Sequence, residues 1–283
     1  MTLYSSSSGM KRTRIGEVNA VLTLGSIALV VAALVSFAAS AIGKLGVVVA
    51  PPAKGQDERE KDVMTFVFAK DGKITEQPPH LTHLDPILSL QSEGFTTLDL
   101  AHREGKIHTG SWIFVVDSSD KLLLLRRGPE LATCPLAWSM VGEHAYRDET
   151  KKDTLKRGIE EELGDKTWKS ILDTGSYAEL TDLPLFYFRD YGPEREGRID
   201  RQVTHLWLVE LGVSAEEADA KIMQLDEEVH EHKWMPLEEA EKWVQDDMAA
   251  IKEGERLDNF CHDTIGSLMQ VGFDRIRAIR EKL

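Results

Sequence analysis

The sequence predicts an α+β domain behind a single N-terminal transmembrane helix. Three observations carry that reading. From about residue 63 to the C-terminus, apolar strand-like runs alternate irregularly with capped helical stretches. Ahead of them, residues 20–43 carry no charge. The 283-residue chain is 42% hydrophobic and 29% charged, a globular rather than a disordered balance. The net charge of −14 repels phosphate backbones and argues against a nucleic-acid partner, although carboxylates still meet phosphates through a divalent cation. Two cysteines, Cys134 and Cys261, are too few for a disulfide framework or a four-cysteine zinc site.

Residues 1–19 form a polar, basic tail. The run AVLTLGSIALVVAALVSFAASAIG at 20–43 is long enough to cross a bilayer with some tilt, which implies a single-pass membrane location. A cleaved signal peptide is the alternative, given the basic Lys11, Arg12 and Arg14 and the Ala39-Ser40-Ala41 tripeptide; the Ser-rich start also fits an organelle transit sequence. Basic residues on both sides of the run leave the side of the membrane open. Residues 44–62, with Pro51-Pro52 and then mixed charge, read as a linker.

The domain, 63–283, begins with VMTFVFAKDGKIT, two strands about an Asp71-Gly72 turn. The prolines of QPPHLTHLDP leave that stretch irregular. Two strands, Ser111–Val116 and Lys121–Arg126, flank a polar Asp-Ser-Ser-Asp turn. Thr150 caps a helix over Lys151–Leu163, with Asp153 at the box position and Gly164 after its end. VTHLWLVEL is a strand, Ser214 opens a short helix, EVHEHKWM is a strand, and Pro236 stands at the first position of the next helix. The tail from about Asn259 forms one more helix.

The stretch Gly142–Asp165, GEHAYRDETKKDTLKRGIEEELGD, resembles the Nudix box, G-x5-E-x7-R-E-U-x-E-E-x-G-U with U a bulky aliphatic residue. Aligned on Arg157, Glu149 takes the first Glu, Ile159 the aliphatic position, Glu161 and Glu162 the acidic pair, and Gly164 the second Gly. Glu143, Gly158 and Asp165 depart from the pattern. The flanking REGKIHTGSWIFVVDSSDKLLLLRRG looks most like the branch of this superfamily related to isopentenyl-diphosphate isomerase. The likeness is most secure over 108–247. It implies an α/β/α sandwich with a mixed sheet, a Mg²⁺ or Mn²⁺ cofactor, and cleavage of a diphosphate linkage in a nucleoside diphosphate-X or related small molecule.

Helical geometry supports the same reading. Leu155, Ile159 and Leu163 share one stripe, and Glu161 and Glu162 emerge beside it, where two adjacent carboxylates repel unless a cation lies between them. Glu160 projects elsewhere. Arg157 is placed to pair with Glu149, as the family uses those residues. Gly158 stands where the family sets a third metal carboxylate; Glu143 is the replacement oxygen ligand, and Gly158→Glu is expected to tighten metal binding.

The resemblance further implies diphosphate contacts from Arg127, a turn histidine in His144, and a general base in Glu228 among Glu227, Glu228 and Glu231. Arg126 reads either as a second diphosphate contact of that kind or as a solvated strand end, His230 and His232 as surface residues, and Trp138 and Trp234 as core aromatics. The isomerase uses a cysteine after its conserved Trp; here SMVGEH follows Trp138, which argues against isomerisation. A weakened Nudix fold serving as a membrane-tethered binding module is the reading from another class, and Gly158 supports it.

Overall fold

The computed structural model describes residues 60–253 and 259–280. The predicted tail, the 20–43 span and most of the 44–62 linker lie outside the described residues. Among the described residues, no helix is long and apolar enough to cross a membrane.

Strand β1 (Asp62–Lys70) turns through Asp71-Gly72, both at positive φ, into β2 (Lys73–Ile74). A two-residue β3 (Thr82–His83) precedes β4 (Ser89–Thr97), which runs back antiparallel along β1. The sequence reading missed β4 and the helix after it, α1 (Leu98–Glu104). Thr97 Oγ1 caps α1 by accepting from Leu100 N, and Gly105 ends it in the left-handed region at φ 59°.

Strands β5 (Ile107–Val116) and β6 (Lys121–Arg127) extend the predicted pair at both outer ends. Asp117 shapes their turn: its Oδ1 accepts from Ser119 N and Lys121 N, each at 2.8 Å, and its Oδ2 from Ala215 N at 2.9 Å. Then come β7 (Trp138–Ser139), β8 (Val141–His144), α2 (Lys151–Leu163) and α3 (Asp165–Thr174). Helix α2 has the predicted bounds, because Thr150 and Asp153 form a complete capping box. Strands β9 (Ser176–Glu179), β10 (Leu185–Asp190) and β11 (Ile199–Glu210) follow. A short helical turn opens at Ala215 under its Ser214 cap, before β12 (Val229–Pro236), α4 (Leu237–Lys252) and α5 (Asp263–Arg280). Pro236 precedes α4 instead of filling its first position, and α5 begins four residues beyond Asn259.

The sheet is mixed, with β12-β6-β5-β11-β10-β3 as its main order. Strands β5 and β11 run parallel from Ile107↔Arg201 to Val116↔Glu210, while β8 lies antiparallel along Gly110–Ile113 of β5. Strand alternation separates two cores. Ile113, Val115, Leu123 and Leu125 pack with Leu155, Ile159 and Leu163 of α2. Phe114, Val116, Leu122 and Leu124 pack with Val244 of α4 and Leu268 and Phe273 of α5. Helices therefore cover both faces, the expected α/β/α sandwich. Each buried Leu contributes about 1.5–3 kcal/mol, so α2 is held firmly on its face. Gly272 admits α5 to the sheet: a Cβ there would stand 2.0 Å from the Phe114 ring.

Candidate active site

Burying Leu155, Ile159 and Leu163 turns the other flank of α2 toward β8. From that flank Arg157 organises three carboxylates. Its Nε donates to Glu149 Oε1 at 2.6 Å and its Nη2 to Glu149 Oε2 at 3.0 Å. Its Nη1 donates to Glu161 Oε2 at 2.9 Å and also to Glu143 Oε2, while Nη2 reaches His144 O at 2.5 Å. The Tyr146 ring lies 3.8 Å from the guanidinium carbon. Burial opposes the Arg157 charge, but the Glu149 bonds and the Glu143 charge outweigh it and raise its pKa. Burial likewise works to raise the Glu149 carboxyl, and the bonds from Arg157, Tyr146 N and Thr154 lower it instead. Both side chains are thus fixed in their charged forms.

A cavity of about 140 Å³ opens beside this network. Glu143, His144, Glu162, Glu228 and Arg127 line it, gathering five of the residues singled out in the sequence. Glu149, Arg157 and Glu161 are not among its lining residues. Glu160 pairs with Lys156 at 3.6 Å, away from that set. Arg127 is aimed by the loop after β6, its Nε donating to Thr133 O at 3.1 Å. Arg126, also on the cavity wall, bonds Leu136 O and Glu231 at 3.0 Å each. Glu227 and Glu231 are exposed, whereas Glu228 is half-buried.

Trp138 packs, half-buried, against the core of Phe114 and Leu268, as expected of a core aromatic, and its other side joins the cavity wall beside Trp243 and Arg126. Trp234 packs, half-buried, against the core beneath α2 and donates to Asp219. The two cysteines, too few for a framework, supply one bridge. Cys134 and Cys261 form a disulfide on the cavity wall, joining the Arg127 loop to the segment before α5.

The sequence reading named His144 but missed its companions. His102 from α1, His108 from β5 and His144 from β8 converge, with ligand nitrogens all within 4.8 Å. His108 Nε2 lies 3.1 Å from His144 Nδ1, and His102 and His108 each lie 3.6 Å from Asp200. Gln202 Nε2 donates to both Asp200 oxygens at 3.0 Å, and Arg198 lies 2.7 Å from His102 Nδ1. Burial, partly offset by Asp200, pushes His108 down to about 4 and lowers His144 as well. Nitrogen donors of this kind suit a transition metal, whereas the oxygens of Glu161, Glu162 and Glu143 suit a hard divalent cation. No fixed spacing links residues 102, 108 and 144, so only the folded chain brings them together.

The NUDIX domain family matches residues 106–254, more than half of the chain. The chain belongs to the Nudix family, whose members are in general metal-dependent hydrolases of small-molecule diphosphates. No curated protein matches. Among solved structures, it resembles a C. elegans Ap4A hydrolase complex at 16% identity and TM-score 0.38, covering 62% of this chain and 98% of that one. A MutT protein from Methanosarcina mazei is similar at 15% identity and TM-score 0.38, covering 60% and 95%. The family assignment rests on the domain match and not on these two likenesses.

Proposed function

We propose that this protein is a membrane-anchored, metal-dependent hydrolase that cleaves the diphosphate linkage of a nucleoside diphosphate-X or related organic diphosphate. The carrying observation is the single cavity that gathers Glu143, Glu162 and Glu228 with Arg127. Glu161 and Glu162 would hold Mg²⁺ or Mn²⁺, which when bound neutralises phosphate charge and lowers the pKa of water. Arg127 offers a planar fork for phosphate oxygens. Glu228 takes the proton that the attacking water loses as its oxygen bonds phosphorus and the bridging P–O bond breaks. Arg157 and Glu149 are positioning residues: they fix β8 against α2, so the acidic groups keep their places. The charge-free run at 20–43 supports the anchor.

A screen of organic diphosphates with Mg²⁺ and Mn²⁺ tests the activity. Glu162→Gln should lower metal-dependent turnover by about 10–100-fold, while Glu160→Gln should be nearly silent. Equal damage from both would place the cation on another face of α2. Metal binding without turnover on any diphosphate would favour a binding module instead.

A further inference from the structure

We infer that Glu143 and Gly158 are an exchanged pair: the third cation-binding carboxylate, set on the helix in the box pattern, is delivered here by strand β8, and Gly158 is the space that admits it. This rests on the metal-dependent reading above. It explains two departures from the motif with one contact.

A Cβ at position 158 would stand 2.6 Å from Glu143 Cγ, 3.4 Å from Glu143 Cβ and 3.3 Å from Ile113 Cδ1. Those Glu143 atoms lie near the backbone, and the carboxylate beyond them is tied to Arg157, so the side chain cannot swing clear without losing that bond. Alternation along β8 brings Glu143 there. Val141 packs into the core beneath α2, and Glu143, two residues on, points to the same face. Gly142 between them faces the Trp112 ring instead, where a Cβ would come within 2.8 Å. The cost of the arrangement is visible in α2, since a glycine in a helix interior weakens it by about 1 kcal/mol relative to Ala.

The delivered carboxylate converges on the right partner. One nitrogen, Arg157 Nη1, bonds both Glu143 Oε2 and Glu161 Oε2, and Glu143 shares the cavity wall with Glu162, the neighbouring carboxylate of the acidic pair. The Glu143 side chain is only 9% exposed, and Arg157 is the cationic partner that so buried a charge needs. If a divalent ion draws the two oxygens, Arg157 keeps its grip on Glu149 and His144 O through Nε and Nη2. The expectation that Gly158→Glu alone tightens binding is therefore corrected. The new side chain would enter a place already filled.

Titration of the full chain in mild detergent with Mn²⁺, following the spin-resonance signal of the free ion, tests the exchange without reference to turnover. Glu143→Gln should weaken Mn²⁺ binding about 10–100-fold. Gly158→Glu should lower the melting temperature and leave Mn²⁺ affinity no better than wild type. The double variant Glu143→Gly with Gly158→Glu should recover Mn²⁺ affinity to within a few-fold of wild type. Wild-type affinity in Glu143→Gln overturns the inference, as does a double variant that melts like wild type yet binds as weakly as Glu143→Gln. Should the double variant not fold, Glu143→Gln alone decides. A wild-type chain that binds no Mn²⁺ would instead remove the metal-dependent reading beneath it.

Discussion

Arg157 holds Glu149 with two nitrogens, Nε at 2.6 Å and Nη2 at 3.0 Å, across eight residues of sequence. The fork makes the loop before α2 a fixed extension of the helix. Lysine cannot reproduce two parallel bonds while also reaching Glu161 and His144 O. Arg157→Lys should therefore cost about 3 kcal/mol in denaturant unfolding, the scale of breaking a largely buried pair. Glu149→Gln, which keeps the shape and loses the charge, should cost less. A loss below about 1 kcal/mol for Arg157→Lys would mean the network contributes only as an exposed pair does.

How far the sequence reached depends on how local each cause is. Helix α2 was legible to its last residue, because its cap Thr150 adjoins it and Asp153 and the stripe Leu155, Ile159 and Leu163 lie within it. Strands β5 and β6 announced themselves through apolar runs about a polar turn. Strand β4 did not: SLQSEGFTT is mostly exposed or half-buried, with no apolar face to read. Helix α1, seven residues long, depends on its Thr97 and Gly105 caps rather than on any repeat. The histidine cluster and the Glu143–Gly158 contact are products of strand pairing. Helical angle set Gly158 on the correct side of α2, but the register Ser111↔Glu143 is what fills the space beside it.

Acid should destabilise the fold through His262. This side chain is buried between Tyr187 and the first turn of α5: its Nδ1 accepts from Ile265 N at 3.4 Å, which leaves Nε2 to donate to Tyr187 Oη at 3.2 Å. Burial, with the Arg189 charge adding to it, pushes its pKa from 6.5 down to about 3. The folded state thus binds fewer protons than the unfolded state between those values. His262 contributes its full stability above pH 6.5 and loses it as pH falls toward 3, by at most about 1.4 kcal/mol per pH unit. Thermal melts of wild type should fall more steeply than those of His262→Asn between pH 6.5 and 4. Parallel slopes would show that His262 does not drive acid unfolding.

Reduction of Cys134–Cys261 should loosen both the fold and the cavity wall. The bridge spans a sequence separation of 127, and its two cysteines sit at positive φ, 49° and 68°, in loops that carry little regular structure of their own. A cross-link over so long a loop contributes about 2–4 kcal/mol, so a dithiol reductant should lower the melting temperature by on the order of 10 °C. Cys134 also adjoins Thr133, the residue that aims Arg127. Cys134→Ser should therefore raise KM for a diphosphate more than it lowers kcat. Identical melts with the thiols shown to be free in one sample would refute the structural weight assigned to the bridge.

The proposed membrane anchor is tested by moving one charge into the run at 20–43. Residues 20–43 lack any ionised side chain, and Val31 lies near the middle of the run. An arginine at the centre of a spanning helix costs about 2.5–3.5 kcal/mol on insertion scales, enough to shift the partition of a segment whose commonest residue is the weakly apolar Ala. The full chain should stay in the pellet after alkaline carbonate washing, a form beginning at Val63 should be released, and Val31→Arg should fall between them. The signal-peptide alternative makes the opposite statement about the mature chain: it would begin just after Ala41 and leave the membrane in every wash. Sequencing the N-terminus of the washed material separates the two, because an anchor keeps Met1 or Thr2 while cleavage exposes Ile42.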